Sequence, residues 1–306
     1  MATPQSGILP EANTHGLFLT LDITAGEQAM EQARKTVSQV PRLTDELAKQ
    51  YPQDDLSSTV SIGSGVWKVL TGKPAPQQMA PFRARVLGRR KAPATPADIL
   101  LHIRSERRDL NFELARNILA KAGNALRLVE EVPGFRYFDM RDVTGFVDGT
   151  ENPEGAERGE VALVDSSDPA GEGGSYVLLQ RFVHDLATWS TLSQSEQEAV
   201  YGRTKDTDEE LDDDIKPESA HISRVVIEED GEELEILRHS MPYGDSQKAG
   251  LVFIAYSARR EIFDMMLDRM FDTEGEGVHD HLMDFTRAET GAFFFAPSLE
   301  QLAALG

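Results

Sequence analysis

Gly16-Leu17-Phe18-Leu19-Thr20-Leu21-Asp22-Ile23 is the stretch on which the fold turns, together with the residues that follow it. Its near-continuous apolar run is the pattern of a strand buried on both faces. Behind it, Met30, Ala33, Val37 and Val40 recur at helical spacing over residues 27–40, and Pro41 marks the expected end of that helix. The chain therefore opens as strand then helix.

Working outward, residues 59–63 and 99–104 are further strand candidates. Leu110, Leu114, Ile118 and Ala122 make one face of a second helix that stops at Gly123, and residues 125–129 resume strand composition. Strand, helix, strand, strand, helix, strand is the ferredoxin-like order, an antiparallel sheet with helices on one face. A Gly- and Pro-rich stretch over residues 145–174 follows, and the series starts again with a strand at 176–182 and a helix at 186–201. Residues 221–228 and 233–240 flank Asp230-Gly231, a two-residue turn signal for a hairpin, because both residues tolerate positive φ. A strand at 251–256 and a helix at 259–271 complete the second series. The expected class is α+β, with duplicated ferredoxin-like domains at residues 1–145 and 146–306, although the two halves share no visible sequence identity.

Composition limits the partners. The 306 residues carry 31 Lys and Arg against 52 Asp and Glu, a formal net charge of -21, which repels nucleic-acid phosphates and anionic lipid. Neither nucleic acid nor membrane is expected as a partner. Without any cysteine there is no disulfide framework and no thiolate ligand, so a metal must be held by His or carboxylate. Residues 1–10 lack the basic start and apolar core of a signal peptide, and no stretch approaches 18 apolar residues, so cytoplasmic residence is the expectation. Residues 206–214 include seven acidic ones, read first as a solvated loop and second as a divalent-cation site. Gly171 to Gly174 lack the following helix and lysine of a phosphate-cradling loop.

The densest cluster of unusual residues is Gly145-Phe146-Val147-Asp148-Gly149-Thr150-Glu151-Asn152-Pro153. Asp-Gly and Asn-Pro are turn formers, so a linker between domains accounts for the string without catalysis. The same string, however, resembles the signature of the dye-decolourising haem peroxidases. Two further segments match in order: Lys216-Pro217-Glu218-Ser219-Ala220-His221-Ile222-Ser223-Arg224 and Leu237-Arg238-His239-Ser240-Met241-Pro242-Tyr243-Gly244. The opening Gly7-Ile8-Leu9-Pro10-Glu11 and the run His102-Ile103-Arg104 extend the likeness to nearly the whole chain, and the short form is similar to the bacterial B-type branch.

That resemblance implies haem b, one per chain, in a pocket of the C-terminal half. His221 would be the axial ligand of the iron, with Asp284 accepting from its other ring nitrogen. Asp148 and Arg238 would form the distal polar pair, with Ser240 a further polar group near them. Leu251 and Phe253 would line the distal pocket, and Glu151 and Asn152 would contact the haem edge or propionates, as would Arg203. A carboxylate at Asp148 can take a proton from one peroxide oxygen and return it to the other, and Arg238 nearby would favour its ionised form. The bland counterparts are ordinary: Arg238 as a surface salt bridge beside Glu233 and Glu235, Leu251 and Phe253 as core. His279 and His281 offer two metal ligands without a third. Trp67, Trp189, Tyr201, Tyr243 and Tyr256 are oxidisable and are read as electron relays or as core aromatics.

The hairpin supplies a geometric condition. Symmetric pairing about Asp230-Gly231 sets His221 opposite Ser240 and Ser223 opposite Arg238, about 5 Å apart, too close to sandwich a haem. The strand must therefore start after His221, which would sit on a loop or helix end set up by Pro217.

The activity implied is reduction of hydrogen peroxide through a ferryl porphyrin-radical intermediate, coupled to one-electron oxidation of dyes, phenols or similar reductants. The alternative on the same fold is a haem-handling protein that releases iron or processes porphyrin; a haem-free ferredoxin-like binding module is a third reading. A homo-oligomer is expected from the acidic surface, the apolar sheets and the likeness.

Overall fold

The computed structural model describes residues 2–306. The opening apolar run is the strand His15–Ile23. Its Leu17, Leu19 and Leu21 join one buried cluster and Phe18 a second, because successive side chains point to opposite faces of a sheet. Core on both sides is what the missing polar alternation encoded.

Ile99–Ser105 and Leu126–Phe135 flank that strand antiparallel, and Ser57–Gly63 pairs with Ile99–Ser105. The first strand of this half thus lies between the third and the fourth, with the second outside the third. The later half repeats the order: Ser175–His184 lies between Ala249–Ser257 and Ala292–Ala296, with the short Leu237–Arg238 outside Ala249–Ser257. Each half is a ferredoxin-like unit. They join edge to edge, Ala292–Ala296 pairing with Ser57–Gly63 through Phe294 opposite Gly63 and Phe295 opposite Ile62, to give one ten-stranded sheet.

Three expectations are corrected. The first helix does not end at Pro41 but runs Glu27–Ala48 through it. Proline removes one hydrogen bond there, yet Ala33, Val37, Val40 and Thr44 continue one buried face across it, and packing along that face outweighs the lost bond. The helix expected at 186–201 is two, Leu186–Trp189 and Gln194–Tyr201, because Ser193 and Glu196 form a capping box that starts a new helix. The hairpin at Asp230-Gly231 has the expected register, but only Glu228–Glu229 and Glu232–Glu233 pair. Beyond a last hydrogen bond from Leu234 N to Ile227 O the arms part: residues 221–225 are helical, and Leu237 and Arg238 pair instead with Tyr256 and Ala255.

In the first half, Glu27–Ala48 and Arg108–Ala122 pack on the sheet. In the second, Arg260–Met270 and the short helix His221–Val225 border a cleft over the sheet, with Leu178, Gln180 and Phe182 of Ser175–His184 and Leu251 and Phe253 of Ala249–Ser257 also lining it. No helix among the described residues is long and apolar enough to cross a membrane.

Gly250 begins the part of its strand that faces the cleft, and a Cβ there would stand 2.0 Å from the carbonyl oxygen of Phe182. Gly250→Ala should therefore cost at least about 1–3 kcal/mol, as overpacking does, lowering the urea midpoint. An unchanged midpoint would show that the two strands are not held at this spacing.

Candidate active site

The cleft encloses about 1440 Å³ of space, its open mouth included. Its walls are mainly apolar: Ile222, Val225, Leu234, Ile236, Phe263, Met266 and Leu267 stand with the residues already named. Polar groups also line it. They are His221, Asp148, Arg238, the buried pair Asp142 and His184, and, among others, Glu151, Arg203 and Glu233.

His221 is the first residue of the helix His221–Val225. The turn in which Ala220 N donates to Pro217 O leads into it, and Ser223 Oγ donates to the same carbonyl. The strand thus starts after His221, as the spacing required. His221 Nδ1 donates to Asp280 Oδ2 at 2.6 Å, and Asp280 is fully buried, its other oxygen accepting from Leu282 N. With Nδ1 holding the proton, Nε2 keeps its lone pair free, in a residue that lines the cleft. The acceptor is Asp280, not Asp284. Asp284 is engaged by Arg89, Arg90 and His279. Both aspartates flank one short turn, His281–Asp284, and only the one at its N-cap points inward. No group of three side chains suited to a metal ion occurs among the described residues, His279 and His281 included.

Asp148 is held by its backbone, whose N donates to Met140 O at 2.8 Å. The enclosing protein pushes its carboxyl above the usual range, and Arg238 pulls the other way without prevailing; nearby Asp142 adds to the upward push. Arg238 thus favours the ionised form in the expected direction, but burial has the larger effect. Arg238 itself is locked by Asn152, whose Oδ1 accepts from Arg238 N at 2.8 Å while its Nδ2 donates to Arg238 O at 3.0 Å. Its guanidinium donates to Thr150 O. Asn152 therefore spends its amide on positioning Arg238 and does not line the cleft.

A second cavity, about 1240 Å³ with its mouth, meets the first at Asp148, Thr150 and Arg238. Asn152 and Ser240 line this second space, and Ser240 Oγ accepts from Ile254 N. At the mouth of the cleft Arg203 bridges Glu151 at 2.8 Å and Asp208 at 3.1 Å, and Thr150 donates to Asp208. Part of the acidic run over residues 206–214 is thus tied to the rim by ion pairs. Leu251 and Phe253 line the cleft.

Sequence reasoning passed over three cleft residues. His184 Nε2 meets Asp142 at 3.0 Å and its Nδ1 meets Thr286 Oγ1 at 2.7 Å, both side chains of the ion pair being nearly inaccessible. Charge attraction and hydrogen bonds from His184 and Thr144 hold Asp142 below the usual carboxylate range despite its burial. Asp142 stands only three residues before Gly145 and was open to detection; His184, at the end of an apolar strand, carried no signal of its own.

Two family models cover the chain: Dyp-type peroxidase, N-terminal, over residues 5–136, and Dyp-type peroxidase, C-terminal, over residues 139–301. The chain is 43% identical over 299 residues to the dye-decolorizing peroxidase of Mycolicibacterium paratuberculosis, covering 96% of this chain and 84% of the relative. It is 42% identical to that of Mycobacterium tuberculosis, over 96% and 88%. A dyp-type peroxidase protein from Shewanella oneidensis superposes with a TM-score of 0.95 at 41% identity, covering 99% of this chain and 98% of the other. A variant of DypB from Rhodococcus jostii RHA1 in complex with heme superposes at 0.94 and 38%, covering 98% of each. With both family models matched and relatives above 40% identity across nearly its whole length, the chain belongs to the Dyp-type peroxidase family.

Proposed function

We propose that this chain is a haem peroxidase that reduces hydrogen peroxide and oxidises dyes, phenols or similar reductants one electron at a time, with haem b seated in the cleft. The observation that carries the reading is the free Nε2 of His221 in an apolar cleft that also holds Asp148 and Arg238. The donor set fits the group: one neutral imidazole as axial ligand, apolar walls for a macrocycle, and Arg203 at the rim for a propionate. When bound, haem supplies the redox centre that accepts oxidising equivalents from peroxide.

The chain's own residues supply the rest. Asp280 holds His221 in the tautomer that leaves Nε2 basic, and its negative charge adds anionic character to the ring. Asp148, once ionised, takes the proton from one peroxide oxygen and delivers it to the other. Arg238 stabilises negative charge on the departing oxygen, and Asn152 keeps Arg238 in place. The second cavity offers small solutes an approach to this pair that does not cross the cleft. Leu251 and Phe253 limit water on the cleft side. The haem-handling alternative has no observation of its own in the cleft, and the relatives are named as peroxidases. We assign the chain to the cytoplasm as a homo-oligomer, with exposed Leu128 and Val129 on the strand Leu126–Phe135, at the end of the sheet, in support of self-association, and we keep the domain division between residues 145 and 146.

The purified protein loaded with haemin should show a Soret band that is lost in His221→Ala; a band of undiminished strength in that variant would remove His221 as ligand. Asp148→Asn should lower kcat/KM for peroxide by about 100- to 10,000-fold, the usual range for a proton-transfer group. Asp280→Asn should weaken haem retention by about 10- to 100-fold, read as the rate of transfer to a haem acceptor.

The pH dependence has a definite sign. A carboxyl raised above its ordinary 3.8 loses its ionised form at a higher pH than usual as acid is added. The acid limb of kcat/KM for peroxide should therefore lie above 3.8, move further up in Arg238→Leu, and vanish in Asp148→Asn. A limb unmoved by removal of the arginine would contradict the assignment.

A further inference from the structure

Tyr201 carries a set of contacts that the peroxide chemistry above does not use. Its ring stands edge-on to His221 with centroids 6.1 Å apart, stacks on Phe146 at 4.0 Å and meets Trp189 edge-on at 5.9 Å. Trp189 in turn packs on Phe285 at 5.3 Å. Aromatic rings thus run without a gap from the cleft-lining His221 into the second half's core.

The direction of the phenol's hydrogen bond is forced. Thr144 Oγ1 has one proton, and it goes to Asp142 Oδ2 at 2.8 Å, because the ionised carboxylate has none to give. Tyr201 Oη lies 2.8 Å from the same Thr144 oxygen and must therefore donate to it. The result is a two-link proton wire, phenol to hydroxyl to carboxylate, closed on its far side by His184.

We propose that Tyr201 is a proton-coupled oxidation site, giving one electron to the peroxide-oxidised haem centre at His221 while its proton leaves along Thr144 to Asp142. The step balances. Peroxide takes two electrons from the haem protein and releases one of its oxygens as water, the other following as water once both electrons and two protons have been returned. Tyr201 returns one of them: its O–H bond breaks, the proton passes to Thr144 Oγ1, Thr144's own proton moves to Asp142 Oδ2, and a neutral phenoxyl radical remains. An external one-electron donor of the dye or phenol class later restores the phenol, with the proton returning from Asp142. A one-electron-oxidised phenol is a strong acid, so even a carboxylate held below its usual range is base enough. One oxidising equivalent is thereby stored off the haem, beside Trp189, while a reductant too bulky for the cleft arrives.

Tyr256 and Tyr243, the other tyrosines read from the sequence as relays, lack this pairing. Tyr256 lies on the far face of the sheet, bonded at 2.9 Å to His102 and away from the cleft that His221 lines. Tyr243 has the Arg181 cation, not a base, on its oxygen at 3.0 Å.

The inference rests on the haem reading, and its test separates the two. Haem-loaded protein made with ring-deuterated tyrosine is mixed with hydrogen peroxide, freeze-quenched and examined by electron paramagnetic resonance beside unlabelled protein. The wild type should give a tyrosine radical whose lines narrow on deuteration. Tyr201→Phe should lower that signal at least tenfold, and Thr144→Val, which keeps the phenol but cuts the wire, should lower its yield several-fold. Should Tyr201→Phe fail to take up haem, the Thr144→Val result decides alone. An undiminished signal in either variant overturns the proposal. A haem-loaded wild type that consumes peroxide without a tyrosine radical overturns this inference only, whereas a protein that takes up no haem overturns the haem reading beneath it as well.

Discussion

The hydrogen bond from His221 Nδ1 to the fully buried Asp280 is the contact on which the rest of the site depends. A histidine facing an apolar cleft with either nitrogen free to carry the proton is an ambiguous ligand. Asp280 removes the ambiguity, because a buried carboxylate left without a donor is costly and its donor here is His221. The ring is thereby fixed in one tautomer and one orientation before any cofactor arrives. Asp280 is fixed in turn by capping the turn His281–Asp284, so backbone geometry sets the imidazole.

Across the site the electrostatics divide into two environments. Asp142 is paired with His184 and Thr144 and stays ionised, whereas Asp148, three residues beyond Gly145, is pushed toward its neutral form by its surroundings, with Arg238 in opposition. Two carboxylates six positions apart in sequence are thus set to different tasks by environment, one a standing base and one a group that exchanges protons. Asn152, by mimicking a strand partner for Arg238, makes that opposition a matter of fixed geometry.

Much of this was legible in the residues, and the failures have physical causes. The strand at Gly16 to Ile23 and the helix face at Leu110, Leu114, Ile118 and Ala122 were plain because each buries a face whose period nothing else explains. Pro41 misled because a local hydrogen-bond penalty was set against a packing face that extends beyond it. The hairpin at Asp230-Gly231 was right in register and wrong in length, since turn chemistry fixes pairing only next to the turn and Arg238 is claimed by Ala255 on another strand. Asp284 was expected in the role that Asp280, at the same turn, fills; which of them points inward is a property of the backbone, not of spacing. The segment around Asp148 shows the same limit from the other side. Its turn-forming residues do make a tight irregular loop, as a linker would, and that loop is what presents Asp148 to the cleft.

A crystal structure of the haem-loaded protein tests the central claim most directly. The account predicts iron bound by His221 Nε2, with Nδ1 still on Asp280 and with Asp148 and Arg238 on the opposite face of the ring. Iron bound instead by His184, the other histidine of the cleft, or Asp148 on the same face as His221, would contradict it.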